Sequence, residues 1–164
     1  MNIFITSPCP IQSAAFLDSK RTIKMILESA QMLSTTLRLF GKSAPYRPTH
    51  INHPCTLWVR KSRQNYMWLV LHFKALCEKY TSFSGKTHKC QQFLDHFLKN
   101  AELLPDIGLT EFANCAKNKV KGVDFTNLPV HEAYRKYLSK RFLMDKRPAF
   151  NYWKIDIKLS KIKF

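Results

Sequence analysis

A mainly helical fold, a compact single-domain helical bundle with long ordered loops and a basic, aromatic C-terminal tail, is predicted by three observations. Apolar residues recur at helical spacing in four separate stretches, while only the two ends of the chain read as extended. The third is size: 164 residues with 45% hydrophobic content are enough for one real core and too few for two. Residues 1–164 are therefore read as one domain.

The elements follow in order. Asn2 to Thr6 reads as a short extended start, and Ser7-Pro8-Cys9-Pro10 resists helix because each proline restricts itself and the residue before it. From Asp18, Ile23, Ile26, Leu27, Ala30, Leu33 and Leu37 form one helical face, with Asp18 as N-cap and Gly41 as the stop. A Pro- and His-rich connection spans Ala44 to Pro54. A second helix, broken or continuous, lies between Thr56 and Tyr80, with Tyr66, Leu69, Val70, Phe73, Leu76, Cys77 and Tyr80 on its later face. After a turn from Ser82 to Lys86, a third helix runs from about His88 to Asn100 with Cys90, Phe93, Leu94, Phe97 and Leu98 inward. Leu103 to Leu128 has no sustained period and is read as a long ordered loop anchored by Phe112, Val120 and Phe125. The last helix starts near Pro129 and runs towards Lys146, with Val130, Tyr134, Tyr137, Leu138 and Phe142 on one side, and Pro148 ends it.

Charge is the strongest functional signal. The 27 Lys and Arg against 11 Asp and Glu leave a formal charge of +16, an excess that a polyanionic partner relieves. It is concentrated. Residues 41–80 hold seven basic against one acidic residue and residues 131–164 ten against three, whereas residues 81–130 are nearly neutral with six against five. Arg60, Lys61 and Arg63 cluster at one point, and a second patch extends through Lys136, Lys140, Arg141, Lys146 and Arg147. Such groups position a phosphate backbone without reading its bases. In the tail, Phe150, Tyr152 and Trp153 lie between Arg147 and Lys154, an interleaving of rings and cations that suits bases displaced from their stack.

The other classes find less support. No apolar run reaches the roughly 18 to 20 residues that span a bilayer, and Met1 to Pro10 lacks the basic start and apolar stretch of a signal peptide. Five scattered cysteines argue for a reducing compartment, so a cytoplasmic protein is expected; a monomer is expected as well. His50, His53 and Cys55, with His88 and Cys90 farther on, invite a zinc reading, but their spacing matches no standard zinc pattern. The expectation is hydrogen-bonding histidines, a small buried Cys55, no metal and no cofactor.

The motif His131-Glu132-Ala133 at a helix start, followed by Arg147-Pro148-Ala149-Phe150-Asn151-Tyr152-Trp153-Lys154, resembles the phage pyrimidine-dimer DNA glycosylase and abasic-site lyase family of the endonuclease V type. In that family a similar His-Glu-Ala helix leads to Arg-Pro and an aromatic segment against damaged DNA. The basic and aromatic positions Arg60, Lys61, Tyr66 and Phe73 agree with it as well. The resemblance implies double-stranded DNA as partner and, for a phage-encoded chain, the host cytoplasm as location. It also implies base excision by an N-terminal amine that attacks the sugar C1′ to form an imine. An α-amine ordinarily titrates near pH 8, which leaves a useful neutral fraction at neutral pH. The corresponding groups are the amine of Met1, or of Asn2 once Met1 is removed, and the carboxylate of Glu28, with Lys20, Arg21 and Lys24 holding phosphates beside it. DNA contacts are expected from those three, from Arg60, Lys61, Arg63 and His131, and from Arg147, Tyr152, Trp153 and Lys154 in the tail.

Two features depart from the family pattern. Asn2 is larger than the family's small mature N-terminal residue, and Glu28 lies farther along than the family's glutamate. Asp18 stands nearer that place but reads as a cap, so Asp18→Asn is expected to cost little. A base-modifying enzyme on the same scaffold and a non-catalytic nucleic-acid binder are the alternative readings.

Overall fold

The computed structural model describes residues 1–145; the expectations for Arg147, Pro148, Tyr152, Trp153 and Lys154 lie outside the described residues. The described part is mainly helical: α1 (Pro10–Ala15), α2 (Ser19–Leu39), α3 (Pro54–Val59), α4 (Arg63–Ser84), α5 (Leu94–Lys99) and α6 (Val130–Met144), with one small hairpin, β1 (Lys117–Asn118) and β2 (Val123–Asp124). β1 and β2 pair antiparallel, Lys117 opposite Asp124.

The long helices α2 and α4 pack on each other and α1 packs on α4. Local chemistry sets their ends. The Asp18 side chain accepts from the Arg21 N–H and the Ser62 hydroxyl from the Asn65 N–H, while Gly41 and Gly85 take the left-handed φ that closes α2 and α4. The Ser62 cap is also what breaks the second helix of the sequence into α3 and α4. Along α4, Tyr66, Leu69, Val70, Phe73, Leu76 and Cys77 are buried as the periodicity predicts.

Several local expectations are corrected. Ser7 to Cys9 stay out of helix as expected, but Pro10 opens one: it stands in the first turn of α1, where its missing N–H costs nothing. Trp68 donates to the Pro8 carbonyl at 2.6 Å, and Lys79 Nζ caps the Leu17 carbonyl at 2.6 Å, so α4 fastens this short helix from the side. On α2, Ile23 and Leu27 point outward, 45% and 39% exposed, while Thr22, Ser29 and Thr36 are buried beside Met25, Ile26 and Leu33. The buried stripe is rotated toward the small polar residues because these let α2 approach its neighbours closely. α4 runs on to Ser84, so the turn begins later than Ser82. The third helix is a 3-10 turn, Lys89–Phe93, followed by α5, and Leu98 faces outward.

The long segment after α5 is ordered, though not by Val120, which is 97% exposed at the hairpin tip. Its fastening is polar as well as apolar. Asn65, fully buried, donates to Thr110 Oγ1 at 2.7 Å and accepts from the Thr110 N–H at 2.9 Å. Tyr134 of α6 donates to the Ala113 carbonyl at 3.1 Å and accepts from the Cys115 N–H at 3.0 Å. Phe112 and Phe125 pack on the core as expected. These bonds fix where the hairpin stands, and the hairpin forms one wall of the site.

Candidate active site

The first six residues are held as firmly as a core element. Ile3 and Ile5 are fully buried, each stabilising the segment by about 2 kcal/mol. Arg135 donates to the Thr6 carbonyl at 2.7 Å and His131 Nδ1 to the Ile5 carbonyl at 3.1 Å. Asn2 Oδ1 accepts from the N–H groups of Ile3 at 2.8 Å and Phe4 at 3.1 Å, and Phe4 takes a left-handed φ of 57°. That conformation is costly for an aromatic residue, and here it turns the chain start onto α2. The Phe4 ring is held stacked on Tyr137 at 6.0 Å and edge-on to Tyr134 at 6.1 Å.

The turn delivers the N-terminus to Glu28. The backbone nitrogen of Asn2 lies 2.9 Å from Glu28 Oε2, and the Met1 amine lies 3.8 Å from the same oxygen. Lys24, one helical turn earlier, approaches the other oxygen at 3.5 Å. Glu28 is 12% exposed, so this charge is screened from water on most sides yet open towards one cleft. The cleft has a volume of about 350 Å³. It is lined by Met1, Asn2 and Glu28, by Lys20, Arg21 and Lys24 of α2, by Lys117 and Asn118 of β1, and by Tyr137 and Arg141 of α6.

Arg21 differs from its neighbours. Its guanidinium pairs with Asp18 and, at 2.6 Å, with Asp145, and it lies 4.9 Å over the Phe142 ring. Burial alone would raise the Asp145 carboxyl, but the Arg21 hydrogen bond and charge outweigh it and hold the group below its ordinary range. Arg21 thus ties α2 to the end of α6, while Lys20, Lys24, Lys117 and Arg141 carry the positive charge of the cleft.

A sulfur-rich cluster stands beside the chain start. Cys55 Sγ and Cys115 Sγ are 3.8 Å apart, and the side-chain donor atoms of His53, Cys55 and Cys115 all lie within 4.8 Å of one another. The hydrogen bond from Cys55 stabilises the Cys115 thiolate and brings that thiol down to about 7. Burial, followed by the nearby N-terminal ammonium, lowers the His53 imidazole. The Asn2 side-chain amide donates to the Cys115 carbonyl at 3.3 Å, joining this cluster to the chain start.

The remaining positions named from the sequence are elsewhere. None of Arg60, Lys61, Arg63 or His131 lines the cleft. Arg60 donates to the Ile51 carbonyl at 3.3 Å, Lys61 is exposed, and Arg63 pairs with Glu102 at 2.9 Å and Asp106 at 3.2 Å. His131 stands edge-on to Phe112, 5.3 Å away, with Nδ1 engaged by the Ile5 carbonyl. Of the histidines and cysteines of the zinc reading, His53 and Cys55 come together, joined by Cys115, while the others lie elsewhere. His50 bonds Thr49, His88 caps the 3-10 turn, and Cys90 contacts the Tyr46 hydroxyl at 3.2 Å. Sequence reasoning missed Lys117, Asn118 and Tyr137, which reach the cleft from far along the chain, and Cys115, which meets Cys55 across 60 positions.

No curated protein and no solved structure gives a match. A family model does: that of pyrimidine dimer DNA glycosylase matches residues 1–91, more than half the chain. The matched part carries the chain start, Glu28 and the lysines of α2, whereas Lys117, Tyr137 and Arg141 lie beyond it. With an N-terminal nitrogen set against a carboxylate in a basic cleft, and with this match, the chain belongs to the pyrimidine dimer DNA glycosylase family.

Proposed function

We propose that this DNA glycosylase is also an abasic-site lyase, acting on double-stranded DNA as a monomer through an imine formed by its N-terminal amine. The observation that carries the reading is the 2.9 Å approach of the Asn2 nitrogen to Glu28 Oε2. When Met1 is removed, that nitrogen becomes a primary amine already hydrogen-bonded to a carboxylate; while Met1 remains, its own amine occupies the position 3.8 Å away.

The amine's lone pair attacks C1′ and the glycosidic bond breaks, the electron pair leaving with the base. Glu28 accepts the proton that the amine sheds and opposes the positive charge that develops at C1′. Opening of the sugar ring gives the imine. Loss of a C2′ proton then expels the 3′ phosphate, which breaks the strand. Lys20, Lys24, Lys117 and Arg141, which line the cleft, hold the phosphates flanking the sugar. Arg60 and Lys61 extend the footprint, and the tail residues Arg147, Tyr152, Trp153 and Lys154 complete it. Arg21, Arg63 and His131 act through the packing they fix. Their polar groups are engaged by Asp18 and Asp145, by Glu102 and Asp106, and by the Ile5 carbonyl.

The test is borohydride reduction of the protein mixed with abasic duplex DNA, followed by mass spectrometry of the trapped peptide. The expected product is a covalent adduct on the N-terminal residue, Asn2 or Met1. An adduct on a lysine, or none, overturns the reading.

A further inference from the structure

The cluster of His53, Cys55 and Cys115 has no part in the proposed chemistry, and its geometry is that of a metal site. We propose that these three side chains bind one zinc ion, two as thiolates and one as imidazole, leaving a fourth position for water or another small donor. The proposal does not rest on the lyase reading.

Three observations support it. The first is spacing: tetrahedral zinc with Zn–S bonds of about 2.3 Å sets its sulfurs about 3.8 Å apart. Cys55 Sγ and Cys115 Sγ stand at 3.8 Å without any movement, and the His53 donor lies within 4.8 Å of both. The second is rigidity. Cys55 is fully buried in the first turn of α3, which His53 caps, and the Cys115 N–H is bonded to Tyr134. Both sulfurs are therefore placed before any ion arrives. The third is donor chemistry: two sulfurs and one imidazole form a borderline-soft set that selects zinc over magnesium or calcium. His53 Nδ1 holds the Cys55 N–H at 3.2 Å, a long bond that coordination of the ring replaces. Binding releases to solvent whatever protons the two thiols still carry, and the ion takes up the charge of the thiolates.

The site joins the start of α3 to the segment before β1, across 60 positions of the chain. The Cys115 carbonyl receives the Asn2 side chain, so the ion braces the wall against which the chain start rests. The resulting expectation is structural: a bound ion makes the fold more resistant to heat.

The experiment is a cobalt titration of the full chain, kept reduced and first stripped with a chelator. The expected result is one equivalent bound, with tetrahedral visible bands and a thiolate-to-cobalt charge-transfer band in the ultraviolet, both bleached by added zinc. Cys115→Ser, at a half-buried position, should lose most of the charge-transfer intensity, and His53→Asn, which retains a capping side chain, should weaken cobalt binding at least tenfold. Cys90→Ser should change neither. Circular dichroism checks that each variant is folded, and zinc should raise the melting temperature of the parent chain but not of Cys115→Ser. Absence of the charge-transfer band, or its survival in folded Cys115→Ser, overturns the proposal.

Discussion

The backbone nitrogen of Asn2 and the carboxylate of Glu28 meet at 2.9 Å although 26 residues separate them. The contact depends on a buried Ile3 and Ile5 below it and on the left-handed turn at Phe4, so the chain end is pre-positioned. Glu28→Gln keeps the shape and hydrogen-bonding reach of the side chain but removes the charge. Single-turnover assays on dimer-containing duplex should show a rate at least about a hundredfold lower. Binding should be equal or slightly tighter, because one negative charge leaves a cleft that receives phosphates. Acetylation of the N-terminal amine should abolish both base release and strand cleavage with binding nearly intact. A fully active acetylated protein would remove the amine from the chemistry.

The lysines of the cleft make a separate prediction about salt. Affinity for duplex DNA should fall steeply with ionic strength, because each phosphate neutralised releases about 0.9 counterion. Lys20→Ala on α2 and Lys117→Ala on β1 should each lower the slope of log K against log salt by about 0.9. Arg63→Ala should leave it unchanged, since that guanidinium is already paired with Glu102 and Asp106. Equal loss at Arg63 would mean that the complex reorganises those pairs and that the footprint extends well beyond the cleft.

Asp18 illustrates what the sequence does and does not disclose. Its place before an apolar helical pattern is enough to identify a cap, and the structure bears that out. By that reasoning Asn would serve as well. The carboxylate, however, is fully buried and also receives the Arg21 guanidinium, which reaches on to Asp145 at the far end of the chain. Asp18→Asn should therefore cost about 1 to 3 kcal/mol in urea unfolding, through loss of a charged hydrogen bond in a closed site. A cost under about 0.5 kcal/mol would mean that Asp145 alone satisfies Arg21.

The same contrast holds across the molecule. Helical periodicity locates α2, α4 and α6, and the acidic residue on α2 is visible as a candidate because so few carboxylates compete with it. The exposed Ile23 and Leu27 were misleading because α2 buries Thr22, Ser29 and Thr36, and polar residues of that size carry no hydrophobic signal. Tyr137 is on the α6 face that the periodicity marks, but nothing in that pattern says it turns to the cleft; Lys117 and Cys115 were hidden for a different reason. They enter the site through the fastening of an aperiodic segment to Asn65 and Tyr134, and no pattern along the chain encodes those bonds.

His72 gives the last prediction, on stability against pH. The ring is fully buried in α4, stacked on Trp68 at 5.1 Å, with Nδ1 donating to the Pro10 carbonyl at 2.9 Å. Burial lowers its pKa from 6.5 to about 4, so between those values the unfolded chain binds a proton that the folded chain refuses. Stability then rises with pH across that window. The contribution is fully present above pH 6.5 and is lost as pH falls towards 4, on the order of 3 kcal/mol in all. His53 and His88, also lowered by burial, add to the upper part of the same window. The Asp145 carboxyl, held down by Arg21, loses its contribution as pH falls through the ordinary carboxylate range and below it, so it touches only the acid edge of this interval. Urea midpoints should therefore climb from pH 4 to about 6.5, and any further rise above pH 7 belongs to the lowered Cys115 thiol rather than to the histidines. His72→Gln retains a donor for the Pro10 carbonyl but cannot titrate. It should be less stable than the parent at pH 7, and most of the slope between pH 4 and 6.5 should disappear. A parent chain equally stable at pH 4.5 and 7 would show that the His72 site opens to admit the proton, and that α1 does not remain docked on α4 in acid.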